Sequence, residues 1–415
     1  MNKLLLILLL PIILLAKSFL ISNIPLPKTY IQNLDPYVCD NVCMQEYLDN
    51  EQIFSFLAHA DKKLENEAQD EIRVMNISIL NLGSQVLSSA EVRVALLLPY
   101  KLIGKYASST TNAVFAYLMT KGHPFELKSY KIESENIEAI EVALQQIRND
   151  GFSYVIAPLT HIGAQNLMAL NSDLNVYLPT INKNSLETNT TNAINVTFGA
   201  IDYQAQSQML VAEAVSPLVI FSDESSTGNK LSHYQEESFK LLNPEHETIK
   251  YYLSRRTTNL EEYLKENEKV VEGSFFVNTP IIKSGMIMSQ LTLYDANATN
   301  ILSTQINYNP LILSMTQYVD RENMVVANSI IEHNNIITET NALLNNDIVY
   351  DWINYTTTVG MDYFYNRITY EEREYNIPIV EQQLQYPIEL LQPSISRFKK
   401  YTHIERETIK KLEEF

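Results

Sequence analysis

The stretch Val92–Pro99, VRVALLLP, is an almost unbroken aliphatic run in which alternate positions are equally apolar. A strand with one wet face would alternate polar and apolar residues, so a run like this belongs to a strand buried on both faces, as in a parallel sheet covered by helices. The surrounding chain fits that demand. Helix-compatible spacing over 108–121 leads to the strand FELKSYKI, then to an amphipathic helix over 137–149. A strand at 154–157, a helix at 162–170 and the short strand VYLPTI follow. Strand–helix alternation at this spacing predicts right-handed βαβ units in an open sheet.

The alternation then starts again. Helices are expected at 203–214, 233–242, 260–266 and 281–293, interleaved with the strands PLVIFSD, TIKYYL, GSFFVNT and NILST. Two blocks of similar size predict an α/β protein with two open, mainly parallel sheets flanked by helices, forming two lobes with a cleft between them. Strand-like runs at 310–317 and 324–326, with helical patterns over 337–365, are expected to return the chain to the first lobe. This gives lobe 1 as 91–200 plus about 305–365, lobe 2 as 201–304, and a C-terminal extension at 366–415 ending in a charged tail.

Ahead of the lobes, helical spacing of Tyr47, Phe54, Leu57 and Leu64, and then of Ile72, Met75, Ile79, Leu82 and Val86, predicts a helical module over 37–90. Residues 17–36 carry Pro25, Pro27 and Pro36 and read as an extended arm. The first sixteen residues have one cation, Lys3, an apolar run from Leu4 to Leu15 and a small residue, Ala16, before Lys17, which is the layout of a secretory signal peptide. The run is shorter than the roughly 20 residues of a membrane span, and an uncleaved anchor extended through Phe19 to Ile24 is the other reading. No later stretch is apolar enough to span a bilayer, so the expectation is a periplasmic protein with no direct membrane span once the signal is removed.

Cys39 and Cys43 are the only cysteines. If the residues between them form a helical turn, they sit about 6 Å apart, within disulfide reach, and an oxidising compartment favours the bridge. Two free thiols are the other outcome. No histidine lies close enough to complete a zinc motif, and no metal is expected.

A formal charge of -18 argues against nucleic acid and anionic membrane surfaces, both of which need a basic face. With only ten glycines there is no GxGxxG and no GxxxxGK[ST], so no nucleotide cofactor is expected. Catalytic signatures are missing too: no GxSxG, no HExxH, and seven histidines scattered along the chain.

Taken together, VRVALLLPYKLIGKYA, YVIAPLTHIGAQNLMALNSDLNVYLPTIN, GAIDYQAQSQMLVAEAV and FSDESSTG resemble the type 1 periplasmic binding protein fold over roughly 92–365. Within that family, a helical module ahead of the lobe pair resembles the penicillin-binding protein activators, which are outer-membrane lipoproteins. The other branch is the receptors for branched amino acids or amides. Lys17 stands where a lipoprotein would need a cysteine, and Ala157 where the family most often has glycine.

The resemblance places Tyr100 and Tyr203 on cleft-facing loops. It also places the turn Leu159–Gly163 at a helix start, whose backbone N–H groups suit a ligand carboxylate, with Thr160 adding a hydroxyl and His161 alongside. Thr160 acting only as a helix cap explains the same residue without a ligand. Asp223 is placed either to hold an amino group or to serve as a turn residue. Two acceptor patterns for N-glycosylation, acidic-x-Asn-x-Thr, centre on Asn189 and Asn297, against about one chance match expected in so Asn- and Thr-rich a chain. The expected function is a non-catalytic periplasmic binding or scaffolding protein of the cell envelope, acting with an envelope protein partner such as the peptidoglycan synthesis machinery. The alternative is a receptor that takes a small amino acid- or amide-like ligand to a transporter.

Overall fold

The computed structural model describes residues 31, 39–60, 63–79, 91–186 and 195–402. The signal peptide, most of the arm, Asn189 and the final tail lie outside the described residues.

Strands β1 (Val92–Leu98), β2 (Phe125–Lys131), β3 (Tyr154–Ile156), β4 (Asn175–Leu178) and β5 (Val196–Phe198) form the first parallel sheet. β1 behaves as its sequence demands. Val92, Val94, Leu96 and Leu98 pack with Val114, Tyr117 and Phe364 on one face, while Ala95 and Leu97 pack with Ile140, Leu144 and Leu167 on the other. The helices 106–119 and 352–369 cover the first face, and 137–149 and 161–169 the second. Strands β6 (Leu218–Asp223), β7 (Thr248–Leu253), β8 (Ser274–Asn278), β9 (Asn300–Ser303) and β10 (Met324–Asn328) build the second sheet. Its central strand is again buried on both faces, Val219 and Phe221 in one cluster and Leu218 and Ile220 in another.

In each sheet the first five strands lie in the order 2-1-3-4-5, with the reversal of strand order beside the first strand. The crevice outside the carboxyl ends of the strands at such a switch point is where open α/β sheets bind ligands. Here the two switch points supply the residues between the lobes.

The C-terminal part corrects the sequence reading three times. Residues 310–317 are not a strand: Leu311–Met315 is a short helix whose first N–H is taken by the Asn309 side chain at 2.9 Å. β10 belongs to the second sheet, pairing with β9, so of 305–365 only the helices 335–343 and 352–369 lie on the first sheet. Residues 366–402 are not an appendage. β11 (Ile379–Val380) and β12 (Gln383–Leu384) extend the first sheet beyond β5, and β13 (Glu389–Pro393) and β14 (Phe398–Lys400) extend the second beyond β10. The chain thus crosses between the lobes after β5, after β10 and after β12. The segment is tied down by fully buried Asp362, which accepts from the Tyr117 hydroxyl at 2.9 Å and the Glu374 N–H at 2.8 Å and pairs with Arg373 at 3.1 Å.

At the crossings a buried polar network replaces apolar packing. Gln206 Oε1 accepts from the Gln305 N–H at 2.9 Å, Gln206 Nε2 donates to Ser329 Oγ at 2.8 Å, and Gln305 Oε1 accepts from the Ser329 N–H at 2.6 Å. Directional bonds of this kind fix one arrangement of the crossing strands, since each group would be costly to leave unpaired.

In the N-terminal module three short helices, 41–49, 53–59 and 67–79, gather Met44, Phe56, Leu57 and Ala60 into a small core. Phe54 and Met75, predicted to be inward, are exposed; on the helix 53–59 it is Phe56 rather than Phe54 that faces the core with Leu57. The Cys39–Cys43 disulfide is present with its Cα atoms 5.3 Å apart. Asp40, between them, caps the first helix by accepting from the N–H groups of Val42 and Cys43.

Candidate functional site

A cavity of about 430 Å³ lies between the lobes, walled by the loops and helix starts that follow β1, β3, β4 and β5 on one side and by the helix 226–242 on the other. That volume falls within the roughly 300–1,000 Å³ usual for small-molecule sites. Four aromatic rings face it: Tyr106, Tyr203, Tyr234 and Trp352, the chain's only tryptophan. Tyr203 meets Trp352 edge-on with centroids 6.0 Å apart. Leu102, Ile103, Leu159, Ile181 and Ile201 complete a mainly apolar lining.

Two cationic or ionisable groups close the cavity from opposite lobes. Lys230, on the helix 226–242, places its Nζ 3.1 Å from His161 Nε2, which also lies 2.8 Å from Ser185 Oγ. The imidazole can accept the Lys230 proton only when neutral with its own proton on Nδ1. Burial, and then the neighbouring Lys230 charge, push the His161 pKa below its usual value; burial pushes the Lys230 ammonium down as well. Lys230 has no carboxylate at ion-pair distance among the described residues.

The predicted carboxylate site at the start of the helix 161–169 is already filled from within. Glu135, 5 % exposed, accepts from the Thr160 N–H at 2.9 Å and from the Thr160 hydroxyl. Its own carbonyl accepts from Asn166 Nδ2 at 2.7 Å. Gly163 is buried because this carboxylate lies against it: a Cβ there would stand 2.5 Å from the Glu135 carboxyl carbon. The positive end of the helix dipole therefore has its anion. The second lobe repeats the device. Asp223 accepts from the Ser225 N–H at 3.2 Å and from its hydroxyl, and Ser225 in turn caps the helix 226–242 through the Gly228 N–H at 3.0 Å.

Of the sequence-predicted residues, Thr160, His161 and Tyr203 line the cavity. Gly163 backs Glu135 instead of facing the cavity, and Asp223 is engaged as a turn residue. Tyr100 is corrected: it points to the surface, its hydroxyl 3.3 Å from Glu133, and Tyr106 supplies the aromatic wall in its place. Sequence reading missed Glu135, Lys230, Tyr106, Tyr234 and Trp352. Only Trp352 carried a signal, as a lone tryptophan preceded by an Asp cap, the Asp351 carboxylate that accepts from the N–H groups of Ile353 and Asn354. The second predicted acceptor, Asn297, lies exposed in the turn between the helix 281–293 and β9, with φ of 45°.

No family model matches the sequence, and no curated protein matches it either. Solved structures do. The fold is that of the type 1 periplasmic binding proteins. A branched-chain amino acid ABC transporter periplasmic ligand-binding protein from Burkholderia xenovorans aligns with a TM-score of 0.56 at 10% identity, over 75% of this chain and 95% of that one. The branched-chain amino acid transporter substrate binding protein LivJ from Streptococcus pneumoniae, solved with isoleucine, aligns with a TM-score of 0.53 at 10% identity, over 74% and 98%. LpoA from Haemophilus influenzae aligns with a TM-score of 0.50 at 9% identity, over 84% of this chain and 68% of its own. Among the described residues no helix is long and apolar enough to cross a membrane, and no group of three or more His, Cys, Asp or Glu is placed to hold a metal ion.

Proposed function

We propose that the chain is a non-catalytic binding protein of the cell envelope that closes its two lobes on a small molecule. The observation that carries this reading is the cavity of about 430 Å³ walled from both lobes and bridged by His161 and Lys230. A scaffold that used only its outer surface would have no need of an aromatic-lined space at the strand switch points. On this reading the signal peptide expected at 1–16 exports the chain, and binding takes place outside the cytoplasm. Binding to the native state alone raises the melting temperature, by the equivalent of about 2.7 kcal/mol at a hundredfold excess over Kd. A metabolite library screened by thermal shift tests this: reproducible, saturable stabilisation by a small solute supports it, and a library without hits contradicts it.

A second reading has its own support. LpoA, a penicillin-binding-protein activator lipoprotein, aligns with a larger share of this chain than the two transporter proteins do, and a helical module precedes the lobes here. On that reading the chain works by holding an envelope protein partner. Recovery of a peptidoglycan synthase with the chain in envelope pull-downs, beside a library that yields nothing, is the result that favours it.

A further inference from the structure

Two of the helix starts at the cavity carry the chain's own carboxylates, Glu135 at Thr160 and Asp223 at Ser225, so neither is open to a ligand anion. The positive charge left facing the cavity is Lys230. Of its three N–H donors one meets His161 Nε2 at 3.1 Å, and the other two have no protein acceptor among the described residues. Holding an ammonium group in a largely apolar recess without a counter-ion is costly, and an anionic ligand removes that cost. The one carboxylate that lines the cavity among the described residues, Asp202, already caps the helix 203–211: one oxygen accepts the Ala205 N–H at 2.9 Å and the other lies 3.4 Å from Asn184 Nδ2. Among the described residues no further acidic side chain faces the cavity to receive an α-ammonium group.

We propose, building on the solute-binding reading above, that the cavity takes a carboxylate with an apolar, ring-bearing body and no α-ammonium group. Lys230, with His161 beside it, binds the carboxylate from the second lobe's side, and Tyr106, Tyr203, Tyr234 and Trp352 enclose the body. Rings enclosed by rings suit the offset and edge-on geometries that aromatic pairs prefer.

Trp352, the single tryptophan, reports on the site directly. Its emission is followed during titration with three matched probes: 3-phenylpropionate, its neutral amide, and L-phenylalanine, which adds only the α-ammonium group. The expected result is saturable binding of 3-phenylpropionate with the amide and phenylalanine each about tenfold weaker or more, the amide because it loses the charge-assisted hydrogen bond and phenylalanine because its ammonium group is desolvated without a partner. Lys230→Met, close in volume, removes the preference for the acid over the amide, and Lys230→Arg keeps it. Circular dichroism confirms that each variant is folded, so the Arg variant preserves the test should the Met variant fail to fold. Equal affinity for acid and amide, tighter binding of phenylalanine, no binding of 3-phenylpropionate, or an unaltered preference in Lys230→Met overturns the proposal. The solute-binding reading survives those results if neutral or cationic library members still shift the melting temperature, and falls only if none does.

Discussion

Replacing Glu135 by alanine opens the start of the helix 161–169. In the native chain this carboxylate takes two hydrogen bonds from Thr160, one from the N–H and one from the hydroxyl, and supplies the negative charge at the positive end of the helix. Hydrogen bonds to a charged group are worth roughly 1.5–3 kcal/mol each, and a charge at a helix start about 0.3–1 kcal/mol. Water reaches Thr160 once the side chain is gone and recovers part of this, so the expected loss is about 2–4 kcal/mol. For lobes of this size that corresponds to a fall of roughly 4–15 °C in melting temperature. The variant also leaves a carboxylate-sized gap beside Gly163, where a Cβ would stand 2.5 Å from the Glu135 carboxyl carbon. Formate or acetate should enter that gap and restore stability, whereas chloride at equal ionic strength should not. Differential scanning fluorimetry of wild type and Glu135→Ala across a formate series measures both effects. A variant as stable as wild type, or one stabilised equally by chloride and formate, refutes the claim that Glu135 is the helix's internal anion.

Gly360 lies inside the helix 352–369, where alanine is ordinarily better by about 1 kcal/mol. The Tyr177 ring lies where its Cβ would be, 2.0 Å from the nearest ring carbon, so Gly360→Ala should instead destabilise by about 1–3 kcal/mol in urea denaturation. Because burial and Lys230 hold the His161 pKa below its usual value, the unfolded chain takes up the proton first as pH falls below about 6.5. Stability from this group is therefore lost between pH 6.5 and the depressed folded value, by less than about 1.4 kcal/mol per pH unit given solvent screening of the half-exposed ring. The difference between wild type and His161→Gln in ΔG against pH isolates that slope from Lys230 and the exposed His333, which remain in both; a pH-independent difference contradicts it. If the Asn297 acceptor is used, the intact mass of the exported protein carries a glycan increment that Asn297→Gln removes, and an unmodified mass ends that idea.

The lobes were legible in the sequence because β1 and β6 are buried on both faces, and a strand buried in that way leaves no polar alternation to misread. The C-terminal segment was not, since β11 and β12 are two residues each and buried Gln383 is held by its side-chain bonds to Ala200 and Leu384 carbonyls. Periodicity has nothing to act on in two residues. Thr160 was readable as a cap from its place after a strand. Glu135 was not readable as its partner, because twenty-five residues separate them and only the packing of the β2 and β3 loops brings them together. Lys230 sits in a polar run, TGNKLSH, with the look of a solvated helix face, and only the approach of the opposite lobe turns it toward a cavity.

The central claim is that the space between the lobes holds one small molecule per chain. Native mass spectrometry of the full mature protein, mixed with pooled metabolites and sprayed without denaturation, measures this directly. The account predicts a single non-covalent increment of small-molecule mass, with one-to-one stoichiometry, that disappears when the protein is acid-denatured. Bare chain mass with every pool, while a transporter-linked binding protein run in parallel shows its ligand, would contradict it.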